Sequence, residues 1–190
     1  MKFQDAQKEI LKTLSSKDFY ERIKEEDPNM VKFIPTFREI NRLGFLTLNS
    51  QAGHQTKGRK SYTTGKPYKI SERAYMDGFL KEDHAERFLK EIALTTDKIA
   101  IYISACKDPN IPSKFDIPLT ITESDGKTEV NTHMSTAIPE TVLAHFRKQV
   151  HLNKSEKAVY IFCLDPIWNR PASRKDGLFS EILQALRNTT

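Results

Sequence analysis

Two short apolar runs constrain this chain most. IAIYISAC at residues 99–106 and AVYIFCL at residues 158–164 are dense in β-branched and aromatic side chains. Each is too short to span a bilayer, and their continuity marks strands buried inside a sheet. Segments with helical spacing surround them. Phe3, Ala6, Ile10, Leu11 and Leu14 fall on one helical face, and Ser16 is placed to cap a second short helix through Phe19, Tyr20 and Ile23. A third pattern covers residues 29–43, with Asn29 as its cap and Gly44 where a left-handed C-terminal residue is wanted. Pro35 lies inside that pattern and predicts a kink or a late helix start.

Further along, residues 45–48 read as a short strand and residues 70–80 as a strand or an irregular helix. Residues 81–93, 139–150 and 177–186 read as amphipathic helices. Asp125-Gly126 predicts a hairpin turn between strands at 119–121 and 128–132. Strands interleaved with helices after a helical start predict an α+β fold: a mixed β-sheet core flanked by helices. The expected organisation is an N-terminal helical segment over residues 1–28 and a single domain over residues 29–190.

Composition narrows the function classes. The chain is 38% hydrophobic and 29% charged, enough apolar content for a core and too much for disorder. No run approaches a membrane span, so no membrane partner is expected. Cys106 and Cys163 both sit in the apolar runs, which suggests buried thiols in a reducing, cytoplasmic setting. Neither CxxC nor HExxH occurs, so no metal site is predicted, and no cofactor is required.

The net charge of +5 is modest, but its placement is uneven. Residues 52–71 hold Lys57, Arg59, Lys60, Lys66 and Lys69 without a single Asp or Glu. A polar, basic loop here is either a solvated surface or a patch that faces an anionic ligand. It follows the phrase INRLGFLTLNSQA at residues 40–52. A strand through that phrase puts Thr47, Asn49 and Gln51 on one face and Ser50 on the other. Their amides and hydroxyls can read a ribose, a purine edge or an amino-acid head group without charge, or can simply cap the strand end. Arg73, just after the basic segment, reads as an exposed ion-pair partner of Glu72 or as a ligand clamp. Trp168, in LDPIWNRP, is the only tryptophan and reads as a loop anchor or a stacking platform.

The same phrase resembles the C-terminal regulatory domain of eukaryotic methylenetetrahydrofolate reductase, which carries a motif of the form INxxGxLTINSQP. YKISERAYMDGFL, KEDHAERFLKEIAL and the closing AVYIFCLDPIW…GLFSEILQAL stand in the order of that family's later elements. The resemblance implies a module that binds S-adenosylmethionine or a related nucleoside. It implies ligand contacts at Thr47 and Ser50 and, further along, at Thr120 or Thr122 and at Thr136. The chain lacks the family's Glu-Thr pair, having Asn29-Met30 there, and has Ala52 in place of the final proline. The reductase's catalytic domain is absent, so folate reduction is not expected. A free-standing module of this kind would sequester its ligand or signal to a protein partner. With the basic segment added, the expected site is Thr47, Asn49, Ser50, Gln51, Lys57, Arg59, Lys60, Arg73, Thr120 and Thr136, around a nucleoside- or nucleotide-like ligand.

Two other classes compete. His54-Gln55-Thr56 and His133-Met134-Ser135 are H-x-[ST] triplets, the pattern of two-histidine phosphoesterases, in which each His moves a proton and each hydroxyl holds the phosphate of a cyclic or 2′–5′ nucleotide. That reading needs both triplets on strands, and GHQTKGRK does not look β-prone. Nucleic-acid binding through the basic segment with Tyr62 and Tyr68 is the third class, disfavoured by the modest charge and the lack of a known motif.

Overall fold

In a computed structural model, residues 1–60, 65, 67–106 and 116–190 are described. For residues 56–60 and 133 the description extends only to the backbone. Helix α1 spans Phe3–Leu14 and α2 spans Lys17–Glu26. A 3-10 turn, Pro28–Phe33, leads into α3, Ile34–Arg42. The third helix thus starts late, with Pro35 in its first turn, where a missing N–H does no harm. Asn29 is not the cap. Asp27 caps the 3-10 turn by accepting from the Asn29 N–H, and α3 itself follows Phe33 without a side-chain cap. Ser16 caps α2 through the Phe19 N–H as its sequence predicts.

The strands form two sheets. In chain order they are β1 Leu46–Ala52, β2 Gln55–Lys60, β3 Pro67–Glu72, β4 Ala74–Lys81, β5 Ile99–Cys106, β6 Ile117–Ser124, β7 Lys127–Met134, β8 Ala137–Pro139 and β9 Ala158–Leu164. The first sheet has the order β1-β4-β9-β5-β8, and the second β2-β3-β6-β7. Only β5 and β8 pair in parallel, so the first sheet is mixed. Helix α4, Glu82–Thr95, follows β4; α5, Glu140–Gln149, follows β8; α6, Leu178–Thr189, closes the chain.

The two apolar runs sit side by side in the first sheet, as β9 and its neighbour β5. β9 with Cys163 is buried as expected, whereas β5 lies nearer the edge, with only Ile103 buried, Ile99 and Tyr102 exposed and Cys106 half-buried. Side chains of β9 alternate between two cores. Ile161 and Cys163 join Phe37, Phe88 and Phe179 beneath α3, α4 and α6. Tyr160, Phe162 and Leu164 join Phe79, Leu46 and Ile103 on the other face. Phe3 and Ala6 of α1 are buried in that second core, so the N-terminal helix packs onto the sheet with the rest of the chain. Phe33, Phe37 and Phe179 meet edge to face at 4.9 and 5.0 Å.

The segment expected as a basic loop is largely a β-ribbon. β1 runs on to Ala52, beyond the predicted 45–48, and β2 and β3 pair antiparallel. The chain passes from one sheet to the other at Gly53 (φ +66°), where a Cβ would lie 2.6 Å from the Ala74 amide nitrogen. β2 is an edge strand, so its Lys and Arg residues suit a strand that must not recruit another edge. The predicted turn at Asp125-Gly126 forms, with φ values of 54° and 71°.

Candidate functional site

The floor of the site is built where α3 hands the chain to β1. Asn41, fully buried, is held by three bonds of fixed polarity. Its Nδ2 donates to the Phe37 carbonyl and to Thr47 Oγ1, both at 2.8 Å, and its Oδ1 accepts the Thr47 N–H at 3.0 Å. A carbonyl can only accept and an N–H can only donate, so the orientation of this amide is determined. Thr47 Oγ1, having accepted, keeps its own proton for another partner. Gln7 of α1 donates to the Asn41 and Arg42 carbonyls, closing the open end of α3.

One step along β1, Asn49 faces Asp77 across the β1–β4 pair. Its N–H donates to Asp77 Oδ1 at 3.1 Å, and its Nδ2 lies 3.2 and 3.3 Å from the two carboxylate oxygens. Asp77 stands on the sheet face of Tyr75, Phe79 and Phe162 and is only 1% exposed. Burial drives its pKa from 3.8 up to about 7, against the opposing pull of the hydrogen bonds from Asn49. Tyr75 beside it is pushed up to about 12 by burial first, then by the Asp77 charge. Gly78 follows because a Cβ there would sit 2.2 Å from the Leu46 carbonyl oxygen, where β1 crosses closest.

Above this floor opens a cleft of about 750 Å³, within the range of small-molecule sites. Thr47, Asn49, Ser50 and Tyr75 line it from the sheet; Ile10, Leu14, Phe19, Ile23 and Met30 line it from the helices. Arg22, Glu26 and Asp27 add charge, and the turn Gln149–His151 makes a further wall. With Nδ2 turned to Asp77, Asn49 leaves its Oδ1 to accept, and Thr47 leaves a hydroxyl to donate. The cleft therefore gains a donor from Thr47 and an acceptor from Asn49, on either side of Leu48 where the β1–β4 register shifts.

The structure does not gather every residue expected here. Gln51 donates through Nε2 to the Arg73 carbonyl (3.1 Å) and to Thr120 Oγ1 (3.4 Å), joining the two sheets outside the cleft lining. Arg73 lies over the Trp168 ring at 4.3 Å and donates to the Pro118 carbonyl, so both side chains anchor the sheet junction. Thr136 sits in the link to β8, and three strands separate β8 from β1. Thr122 bonds Asn131 on β7. The expected single pocket is therefore two places: a cleft with Thr47, Asn49 and Ser50, and a structural junction with Gln51, Arg73 and Thr120. The side chains of Thr56, Lys57, Arg59, Lys60 and His133, together with Tyr62 and Lys66, lie outside the described residues. Lys69 pairs with Glu123 at 2.6 Å.

Both histidine triplets start or end on strands, contrary to the objection that the sequence raises. They are nonetheless not brought together. In the second sheet β3 and β6 run between β2 and β7, which puts roughly 14 Å between the outer strands at ordinary strand spacing. His54 is engaged locally, with Nδ1 2.6 Å from Glu72 Oε2. Glu72 is raised by burial and drawn back by His54.

Asp165 belongs to the frame as well. It is fully buried and takes Arg170 Nε at 2.5 Å and Nη2 at 2.6 Å, with Lys98 Nζ 3.5 Å away. Sequence reading missed Asn41 and gave Asp77 no role. The signal for Asp77 was available: in AYMDGFL it occupies a core-facing position between Tyr75 and Phe79.

No helix of the described residues is long and apolar enough to cross a membrane. No group of three or more His, Cys, Asp or Glu among the described residues could hold a metal ion. A search among curated proteins finds no match. A family model described as a domain of unknown function, DUF6919, matches residues 12–189, nearly the whole of the fold from α1 to α6, and the chain belongs to that family.

Proposed function

We propose that the cleft over β1 binds a small nucleoside-like or nucleotide-like molecule, and that the protein acts by sequestering or signalling that ligand. The observation that carries this reading is Asp77. A carboxyl on an aromatic sheet face costs stability, and such sites persist where they serve a function. Here the carboxyl fixes the amide of Asn49, which lines the cleft. The resemblance of residues 40–51 to an S-adenosylmethionine-binding regulatory domain supports the same place. Thr47 and Ser50, its two closest matches to ligand contacts, both line this cleft. The separation of His54 from the strand of His133 gives the phosphoesterase reading no support, and the ion pair of Lys69 weakens the nucleic-acid reading.

The test is calorimetric titration of wild type and Asn49→Leu with S-adenosylmethionine, S-adenosylhomocysteine and a panel of nucleosides and nucleotides. The reading predicts heat of binding from at least one compound and its loss in the variant. Absence of binding across the panel, or unchanged binding in Asn49→Leu, contradicts it.

A further inference from the structure

On the far side of the Gln149–His151 turn lies a second cavity of about 630 Å³. It is lined by His145, Arg147, Lys148, His151 and Lys154, and no carboxylate among the described residues lines it. The nearest acids along the chain, Glu140 beside Thr141 and Glu156 two residues after Lys154, stand outside this lining. Glu156 acts on Arg147, accepts the Phe3 N–H at 3.1 Å and lines a different cavity with Glu82, Asp83 and Glu86. A concave surface with cations on several sides and no internal counter-charge is a site for an anion.

The backbone around it is built with some effort. α5 closes with paired bonds, His151 N–H to the Lys148 carbonyl (3.0 Å) and Leu152 N–H to the Arg147 carbonyl (2.8 Å). The left-handed residue of that motif is usually glycine, yet here it is His151, with φ 58°. A side chain there is disfavoured against glycine, although histidine is among the residues that tolerate it best. Arg147 then binds the loop that follows, donating to the carbonyls of Asn153, Glu156 and Ala158. The loop carrying Lys154 is thereby wound around a fixed guanidinium. The helix dipole explains Arg147 and Lys148 in the last turn of α5. It does not explain a strained histidine after the end, or a lysine beyond it.

We propose that this basic cavity is a binding site for the phosphate or pyrophosphate group of a small phosphorylated molecule. A pocket of this size fits a small ligand better than a flat polyanion surface. His151 lines both this cavity and the cleft over β1. A phosphate held here can therefore belong to the molecule seated in the cleft, an extension that rests on the cleft reading, whereas the phosphate site itself does not.

The test uses inorganic pyrophosphate, titrated calorimetrically into the full chain at low and constant ionic strength. Wild type binds, and Lys148→Glu/Lys154→Glu binds at least about tenfold more weakly. Lys90→Glu/Lys175→Glu changes the net charge equally at exposed positions elsewhere and retains wild-type binding. Ser50→Leu, which fills the cleft, also retains it, so failure of the cleft reading leaves this result standing. The proposal is overturned if wild type does not bind pyrophosphate, or if both charge-reversed proteins lose affinity alike. It is also overturned if the protein ignores pyrophosphate but sediments with phosphatidylglycerol vesicles or retards an RNA duplex.

Discussion

The two sheets treat polar residues differently. The five-stranded sheet is covered on both faces at its middle, where β9 holds Tyr160, Ile161, Phe162, Cys163 and Leu164 at 1% exposure or less. The four-stranded sheet buries little: Leu119 and Ser71 are its only fully buried residues among those described, and Val130 is 54% exposed. Apart from Glu72 at the junction, the described charges on the second sheet, such as Lys69 and Glu123, meet water and carry little information about function. A charge on the first is desolvated and has to be accounted for. The unusual stretch of basic sequence therefore points less to a ligand than does one aspartate inside a strand.

Core truncation separates the sheets most sharply. Phe162→Ala is expected to destabilise the fold by about 3–5 kcal/mol, whereas Val130→Ala on β7 is expected to change it by less than about 0.5 kcal/mol. Chemical denaturation of both variants checks this, and equal losses would erase the contrast.

Asp77→Asn comes next. The folded carboxyl holds its proton up to about pH 7, against an ordinary value of 3.8. The native state therefore binds more protons than the unfolded one between those values, and stability falls as pH rises through that window. Replacing Asp77 is expected to raise stability at pH 8 by about 2–4 kcal/mol and to change it little at pH 4. Unfolding curves at both pH values check the sign.

Asn41→Ala follows. It leaves the buried Thr47 N–H without its partner and is expected to cost about 1–3 kcal/mol. The smallest effect is expected from Lys69→Ala, whose partly exposed pair with Glu123 is worth less than about 1 kcal/mol.

The legibility of the fold follows the same division. Periodicity located the helices and the buried strand β9, because burial imposes the spacing there, and turn chemistry located Asp125-Gly126. The apolar run of β5 is a strand, but only Ile103 in it is buried. It failed on β2, where QTKGRK owes its extended form to hydrogen bonds with β3 and to its place at an edge. Backbone pairing leaves no apolar pattern behind. In the site, the TLNS stretch was legible because three of its four side chains carry hydrogen-bonding groups, which is unusual in a strand. Of its supports, Asp77 is 28 residues from Asn49, and Asn41, six before Thr47, reads as part of the preceding helix; each looks ordinary alone. The grouping of Thr120 and Thr136 with Thr47 failed because strand order cannot be read from spacing.

The central claim is that Asp77 destabilises the fold while holding Asn49 in position for a ligand. Its most direct test is to melt wild type and Asp77→Asn side by side at pH 8, alone and with the nucleoside and nucleotide panel. The account predicts that the variant melts higher alone yet loses the ligand-induced shift, which for wild type at a hundred times the dissociation constant is worth about 2.7 kcal/mol. A variant that melts lower than wild type, or that keeps the full shift, would contradict it.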